Sequence, residues 1–249
     1  MKFAGIVEYD GSDFCGWQRQ SHAPSVQETV ERAISLVANH EVGIACAGRT
    51  DTGVHALGQV MHFETNAQRD MRSWLLGINS NLPRSVVIRS ISQMPDDFHA
   101  RFSALSRTYR YIISNEKVRP ALLANRAAWE RVTLDETRMQ AAANTLVGKH
   151  DFTSFRALAC QAKSPIREIT RLTIHRQGSL VILDVTANGF LHHMVRNLAG
   201  VLMSIGKNEN PPQWTKEVLT KKDRSLAGVT APPQGLYFLS VQYDPKYKI

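Results

Sequence analysis

Hydrophobic periodicity along this chain switches between 2 and 3.6 residues in an order that nearly repeats itself, and that order limits the possible folds more than any other feature. Lys2 to Tyr9 alternates as a strand and ends in the turn-forming run Asp10-Gly11-Ser12-Asp13. Ser25 followed by Glu28 is a capping box, and Val26, Val30, Ala33, Ile34 and Val37 supply a helical stripe to about Asn39. Gly43 to Ala47 and Leu57 to Glu64 read as short strands, Arg69 to Asn79 as a helix and Val86 to Gln93 as a strand. The rest predicts a strand at Arg107–Ser114, a helix at Asp135–Val147 and paired strands at Ile166–Arg176 and Leu180–Thr186. Helices at Phe190–Gly206 and Trp214–Lys221 and a last strand at Gly235–Tyr243 complete it. These elements describe an α+β protein of two similarly built halves, residues 1–100 and 101–249, each a mainly antiparallel sheet with helices on one face, flanking a cleft.

The two halves differ in charge. Residues 1–100 carry 8 Lys/Arg against 11 Asp/Glu, whereas residues 101–249 carry 22 against 11, so the second half holds all of the net charge of +8. Such asymmetry points to a polyanionic partner, nucleic acid being the commonest, and it also fits a merely solvated basic surface. No apolar run approaches the roughly 18 residues of a membrane span; the best, Leu198 to Ile205, contains Gly200 and Ser204. Met1 to Asp10 meets Glu8 and Asp10 before a signal-peptide apolar region could develop, so no export is expected. Cys15, Cys46 and Cys160 are odd in number and widely spaced, which fits a reducing cytoplasm and neither a disulfide framework nor a CxxC metal site.

The stretch richest in chemical possibility is Gly48-Arg49-Thr50-Asp51-Thr52-Gly53-Val54-His55-Ala56, on the shoulders of two short strands. Its glycines let the backbone bend sharply and a ligand come close. A guanidinium beside a sheltered carboxylate keeps it ionised and nucleophilic, the arrangement offered by Arg49 and Asp51. The same pattern alone also fits an Asx turn in a hairpin loop. In the strand from Arg107, a period of two sets Arg107, Tyr109 and Tyr111 on one face, an aromatic plane beside a cation; a core tyrosine with a bonded hydroxyl is the plainer alternative. In the helix from Phe190, Leu191, Met194, Val195, Leu198, Leu202 and Ile205 form the buried stripe, and Arg196 lies at its edge, placed for a partner or for simple snorkelling. His192 and His193 do not read as a metal pair, because adjacent helical residues diverge by about 100°. Gly148-Lys149-His150 lacks the spacing of a phosphate loop.

The segment from Gly48 resembles the GRTDxGVHA signature of the TruA family of tRNA pseudouridine synthases, and the likeness is collinear over nearly the whole chain. Tyr9-Asp10-Gly11-Ser12-Asp13-Phe14-Cys15-Gly16-Trp17-Gln18 resembles the family's opening YDGxxFxGWQ. Ser106 to Tyr111, Gly148 to Phe152, Phe190 to Asn197 and Ala231 to Leu236 follow in order, with no departure at the positions that matter.

The resemblance implies a cofactor-free and metal-free isomerisation of uridine to pseudouridine in the anticodon stem-loop of tRNA, at positions 38 to 40, in a basic catalytic cleft. It assigns Asp51 as the essential carboxylate, Tyr109 as the substrate-contacting tyrosine, Arg196 as that aspartate's partner and Arg49 as a grip on phosphate or a lever on the base. Arg107, Arg110, Lys163 and Arg167 are expected to meet RNA phosphates, and a cytoplasmic homodimer is expected. Two rival functions use the same residues: a hydrolase that cleaves RNA or its glycosidic bonds through Asp51 and a histidine, and a noncatalytic tRNA-binding protein. Mass separates the first rival, because isomerisation leaves the RNA mass unchanged.

Overall fold

The computed structural model describes residues 1–249. In chain order the elements are β1 (Lys2–Tyr9), α1 (Val26–Ala38), β2 (Ile44–Cys46), β3 (His55–Glu64), α2 (Met71–Ser80), β4 (Val86–Met94) and β5 (Ala104–Asn115). They continue with β6 (Ala128–Glu130), α3 (Glu136–Ala143), β7 (Gly148–Asp151), β8 (Ile166–Gln177), β9 (Leu180–Ala187), α4 (Met194–Gly206), α5 (Trp214–Lys221) and β10 (Leu236–Tyr243). This is an α+β fold, as the periodicity predicts, and no helix is long and apolar enough to cross a membrane. The chain forms two compact units, one of residues 1–107 with 237–249 and the other of residues 108–236. The C-terminal strand, expected with the second half, thus belongs to the first unit.

In the first unit β1 lies between β3 and β4 and is antiparallel to both. Along the other edge of β3, β2 pairs antiparallel at Met61 to Phe63, and β10 pairs parallel at His55 and Ala56. The backbone between β2 and β3 therefore leaves one end of this edge and returns at the other. Phe3 and Phe63 stack at 5.4 Å between ring centroids and both meet Trp74 of α2, which fixes α2 on that face of the sheet. The Ser25 side chain caps α1 by accepting from the Glu28 N–H, as the sequence predicts. Val26, Val30, Ala33 and Ile34 are buried along its stripe.

The second unit orders its strands β5-β9-β8-β7, with β8 antiparallel to β9 and β7, and with β6 parallel to the end of β5. Two helices are shorter than expected. α3 stops at Ala143 and tightens into a 3₁₀ turn at Asn144–Leu146, where Thr145 Oγ1 donates back to the Ala142 carbonyl at 2.8 Å. That side chain competes with the helical ladder. α4 starts at Met194 rather than Phe190, because His193 takes a left-handed backbone with φ 60°. The short strands β6 and β7 carry too few residues for periodicity to register.

Candidate active site

The segment joining β2 to β3 is held residue by residue within its own unit. The Ala47 N–H donates to the Val60 carbonyl at 2.8 Å, and the Ala47 carbonyl accepts from Arg107 Nε and Nη2 at 3.4 and 3.2 Å. At Gly48 the partner is the wholly buried side chain of Gln59, whose Oε1 accepts from the Gly48 N–H at 3.3 Å while its Nε2 donates to the Gly48 carbonyl. A carboxamide offers one acceptor and two donors, so it replaces the adjacent strand that this peptide lacks. Thr50 is pinned twice, its carbonyl by the Trp17 N–H at 3.0 Å and its hydroxyl by the Tyr9 hydroxyl at 2.7 Å. After Asp51 the chain closes with the Val54 N–H on the Asp51 carbonyl at 3.2 Å and the Gly53 N–H on the Phe14 carbonyl at 3.3 Å.

Residues 10–17 back this loop, and two glycines permit their approach. A Cβ on Gly11 would stand 2.0 Å from the Val54 carbonyl oxygen, and one on Gly16, where φ is +86°, would stand 2.6 Å from that of Thr50. His55 is buried beneath, its Nδ1 accepting from the Gly11 N–H at 3.1 Å and lying 3.1 Å from Asp10 Oδ1. Its ring stacks on Tyr237 at 4.7 Å. Within this frame Asp51 is half-buried and Arg49 is exposed, so a carboxylate and a guanidinium project from a backbone hydrogen-bonded on both sides of them.

Two acidic hydrogens nearby stay in place. Burial pushes the Cys46 thiol up to about 12 against the opposing pull of Arg49, so it is not a thiolate nucleophile. Burial likewise raises the Tyr9 phenol, with hydrogen bonds from Thr50 and Gln59 opposing, and leaves Tyr9 a neutral hydroxyl. The carboxylate of this loop is that of Asp51, which is half-buried.

In the second unit Tyr109 is 7% exposed and meets Phe190 edge-on at 4.9 Å between centroids. Tyr111, two residues on, is fully buried and donates from its hydroxyl to the Pro232 carbonyl at 2.7 Å. Arg196 lies in the first turn of α4, half-buried, with Nε donating to the Ala231 carbonyl at 2.8 Å while the Ala231 N–H donates to the Arg196 carbonyl at 3.1 Å. The segments Phe190 to Asn197 and Ala231 to Leu236, singled out separately in the sequence, are thus one packed corner.

The four residues expected to meet RNA differ in what they are free to do. Arg107 also donates to the Ala104 and Arg101 carbonyls at 3.2 and 2.6 Å, and so braces the chain ahead of the Asp51 loop. Arg110 forms a two-pronged pair with the buried Asp184, both bonds 2.8 Å. Arg167 donates to the Ser164 and Ile166 carbonyls at 3.0 and 2.6 Å. Lys163 is exposed. The expected divergence of His192 and His193 is corrected: the two precede α4 instead of lying on it, and their rings come within 4.0 Å.

Tyr9 and Gln59 were not among the expected site residues. A signal for Gln59 was present, since a glutamine interrupts the apolar run of β3 at a position flanked by Gly58 and Val60. Nothing local distinguishes Tyr9 from a core tyrosine.

A family model described as tRNA pseudouridine synthase matches residues 6–103 and 142–244. Among curated proteins, a tRNA pseudouridine synthase A from Pseudoalteromonas translucida is 53% identical, with 100% of this chain and 94% of that one covered. The protein of the same name from Pseudomonas aeruginosa is 52% identical, covering 98% of this chain and 86% of its own. That from Hydrogenovibrio crunogenus is 49% identical over 98% of this chain and 93% of its own.

Proposed function

The chain belongs to the tRNA pseudouridine synthase family, isomerases of uridine in tRNA, and on that premise we propose that Asp51 is the carboxylate that carries the reaction and that the anticodon stem-loop is where it acts. The observation that carries this reading is the Asp51 loop itself, in which neighbouring peptides are bonded internally while the carboxylate stays reachable. A reacting group held in one geometry avoids the entropy cost of finding it.

The chemistry breaks the bond from ribose C1′ to uracil N1 and makes one from C1′ to C5. A proton leaves C5 and N1 gains one, so the reaction balances with no oxidant, reductant or added group. One ionised carboxylate near the glycosidic bond is sufficient for each of three routes: attack on the ribose, attack on the pyrimidine, or removal of a ribose proton. The base must leave the helical stack first, at a cost of a few kcal/mol. Stacking on an aromatic ring returns about 1–3 kcal/mol, which is the role proposed for Tyr109, with Arg49 and Arg196 as substrate-binding cations. A homodimer in the cytoplasm completes the proposal.

The test is incubation of purified protein with an unmodified tRNA transcript, followed by carbodiimide-dependent primer extension. Stops in the anticodon stem-loop are expected with the wild type and none with a folded Asp51→Asn variant. Stops elsewhere in the tRNA refute the anticodon assignment, full activity of Asp51→Asn refutes the carboxylate, and a change in RNA mass points to the hydrolase instead.

A further inference from the structure

The frame behind Asp51 has a direction to it. Val7 stands opposite Gln59 in the β1/β3 ladder. A register slip between Val7 and Tyr9 sets Tyr9 opposite Ala56. There its hydroxyl lies 2.7 Å from Thr50 Oγ1. Gln59 Oε1 accepts from the Gly48 N–H while its Nε2 donates to the Gly48 carbonyl. Two buried side chains therefore hold the two residues on either side of Arg49, Gln59 at the Gly48 peptide and Tyr9 at the Thr50 hydroxyl, the second one peptide before Asp51.

We propose that Gln59 and Tyr9 are positioning residues for the reaction: by holding Gly48 and Thr50 on either side of Arg49 they fix the loop, and with it the direction in which Asp51 leaves the backbone. The inference rests on the reading of Asp51 as the reacting carboxylate. Tyr9 and Gln59 are 3% and 0% exposed, so neither can touch RNA, and their effect must pass through the loop. Buried hydrogen bonds of this kind rigidify what they hold.

The experiment is single-turnover and steady-state pseudouridine formation on a tRNA transcript, with tRNA binding and thermal unfolding measured for each variant. Tyr9→Phe and Thr50→Val are expected to lower kcat by about 10- to 100-fold, with KM and tRNA affinity changed by less than about twofold. Thr50→Ser keeps the accepting oxygen and is expected to retain near wild-type activity. The double variant Tyr9→Phe with Thr50→Val should be no slower than the slower single variant, because both delete the same bond. Gln59→Glu adds a pH readout: the neutral acid reproduces one donor and one acceptor, whereas the carboxylate offers no donor, so its kcat should fall as pH rises over a range where the wild type stays level. Should Gln59→Glu be recovered unfolded, the Tyr9 and Thr50 variants decide alone.

Unchanged kcat in both folded hydroxyl variants overturns the proposal, as do losses that multiply in the double variant or that appear in KM instead of kcat. Wild type and Asp51→Asn are run alongside. A wild type that forms no pseudouridine, or an Asp51→Asn that does so at full rate, overturns the underlying functional reading; failure confined to the Tyr9, Thr50 and Gln59 variants overturns the positioning role only.

Discussion

Tyr109 is buried, 7% exposed, and its ring stands nearly perpendicular to that of Phe190 at 4.9 Å between centroids. A base stacks on the flat side, and the interaction is insensitive to which base it is. Replacing the ring by leucine keeps most of the apolar volume and removes the plane. Tyr109→Leu is therefore expected to lower turnover on tRNA by about tenfold or more while tRNA affinity falls less than about threefold, because phosphate contacts dominate affinity. Parallel rate and filter-binding measurements check this, and an equal loss in both would remove the stacking role. The Arg107 guanidinium donates to the Ala47, Arg101 and Ala104 carbonyls and so braces the chain ahead of the Asp51 loop.

At the scale of elements, the link between β4 and β5 is stapled to the first unit's sheet by histidines acting as acceptors. His62 Nδ1, on β3, accepts from the Ala100 N–H at 3.2 Å, and His99 Nδ1 accepts from the Arg101 and Phe102 N–H groups at 3.1 and 3.3 Å. The two rings pack at 4.6 Å. Burial first, and then the charges of His99 and Lys2, lower the His62 value from 6.5 to about 4, against a smaller opposing pull from Glu64. The sign follows directly. Between those values the unfolded chain binds a proton that the folded one refuses, so this group's stabilisation is intact above pH 6.5 and is lost as pH falls toward 4. The loss reaches about 2–3 kcal/mol at the bottom of that window. Urea unfolding of wild type and His62→Gln between neutral and acid pH should show the wild type losing more stability over that range. Parallel pH curves for the two proteins would show that His62 is not the group responsible.

For the whole molecule, the dominant fact is that 22 of the 30 basic residues fall after residue 100, in company with only 11 acidic ones. A polyanion bound by such a chain should be released by salt, and each phosphate contact removed should reduce the slope of log affinity against log salt by about 1. Lys163 is exposed, whereas Arg110 is clamped by Asp184. Lys163→Ala is therefore the variant expected to flatten the salt dependence of tRNA binding by about one unit while leaving the unfolding midpoint unchanged. A slope identical to the wild type's would remove Lys163 from the RNA-contacting set.

Periodicity alone determined the class of fold, the strands β1, β3, β4, β8 and β9 to within a few residues, and the caps of α1. Short-range spacing decides whether a segment buries one face, and every residue needed for that decision lies inside the segment. The motif around Asp51 was equally legible, because its glycines, its acid and its cation are adjacent in the chain. What only the tertiary structure decided is which groups hold that motif still. Gln59 pairing the Gly48 peptide, Tyr9 capping Thr50, and Gly11 and Gly16 admitting a backbone against the loop are contacts across 11 to 43 residues. Their partners share no local pattern, and a buried hydroxyl or carboxamide reveals its use only when the fold sets an unpaired peptide in front of it. The late start of α4 at Met194 has the same origin: the left-handed turn at His193 is a backbone state that histidine does not favour alone and that its surroundings impose.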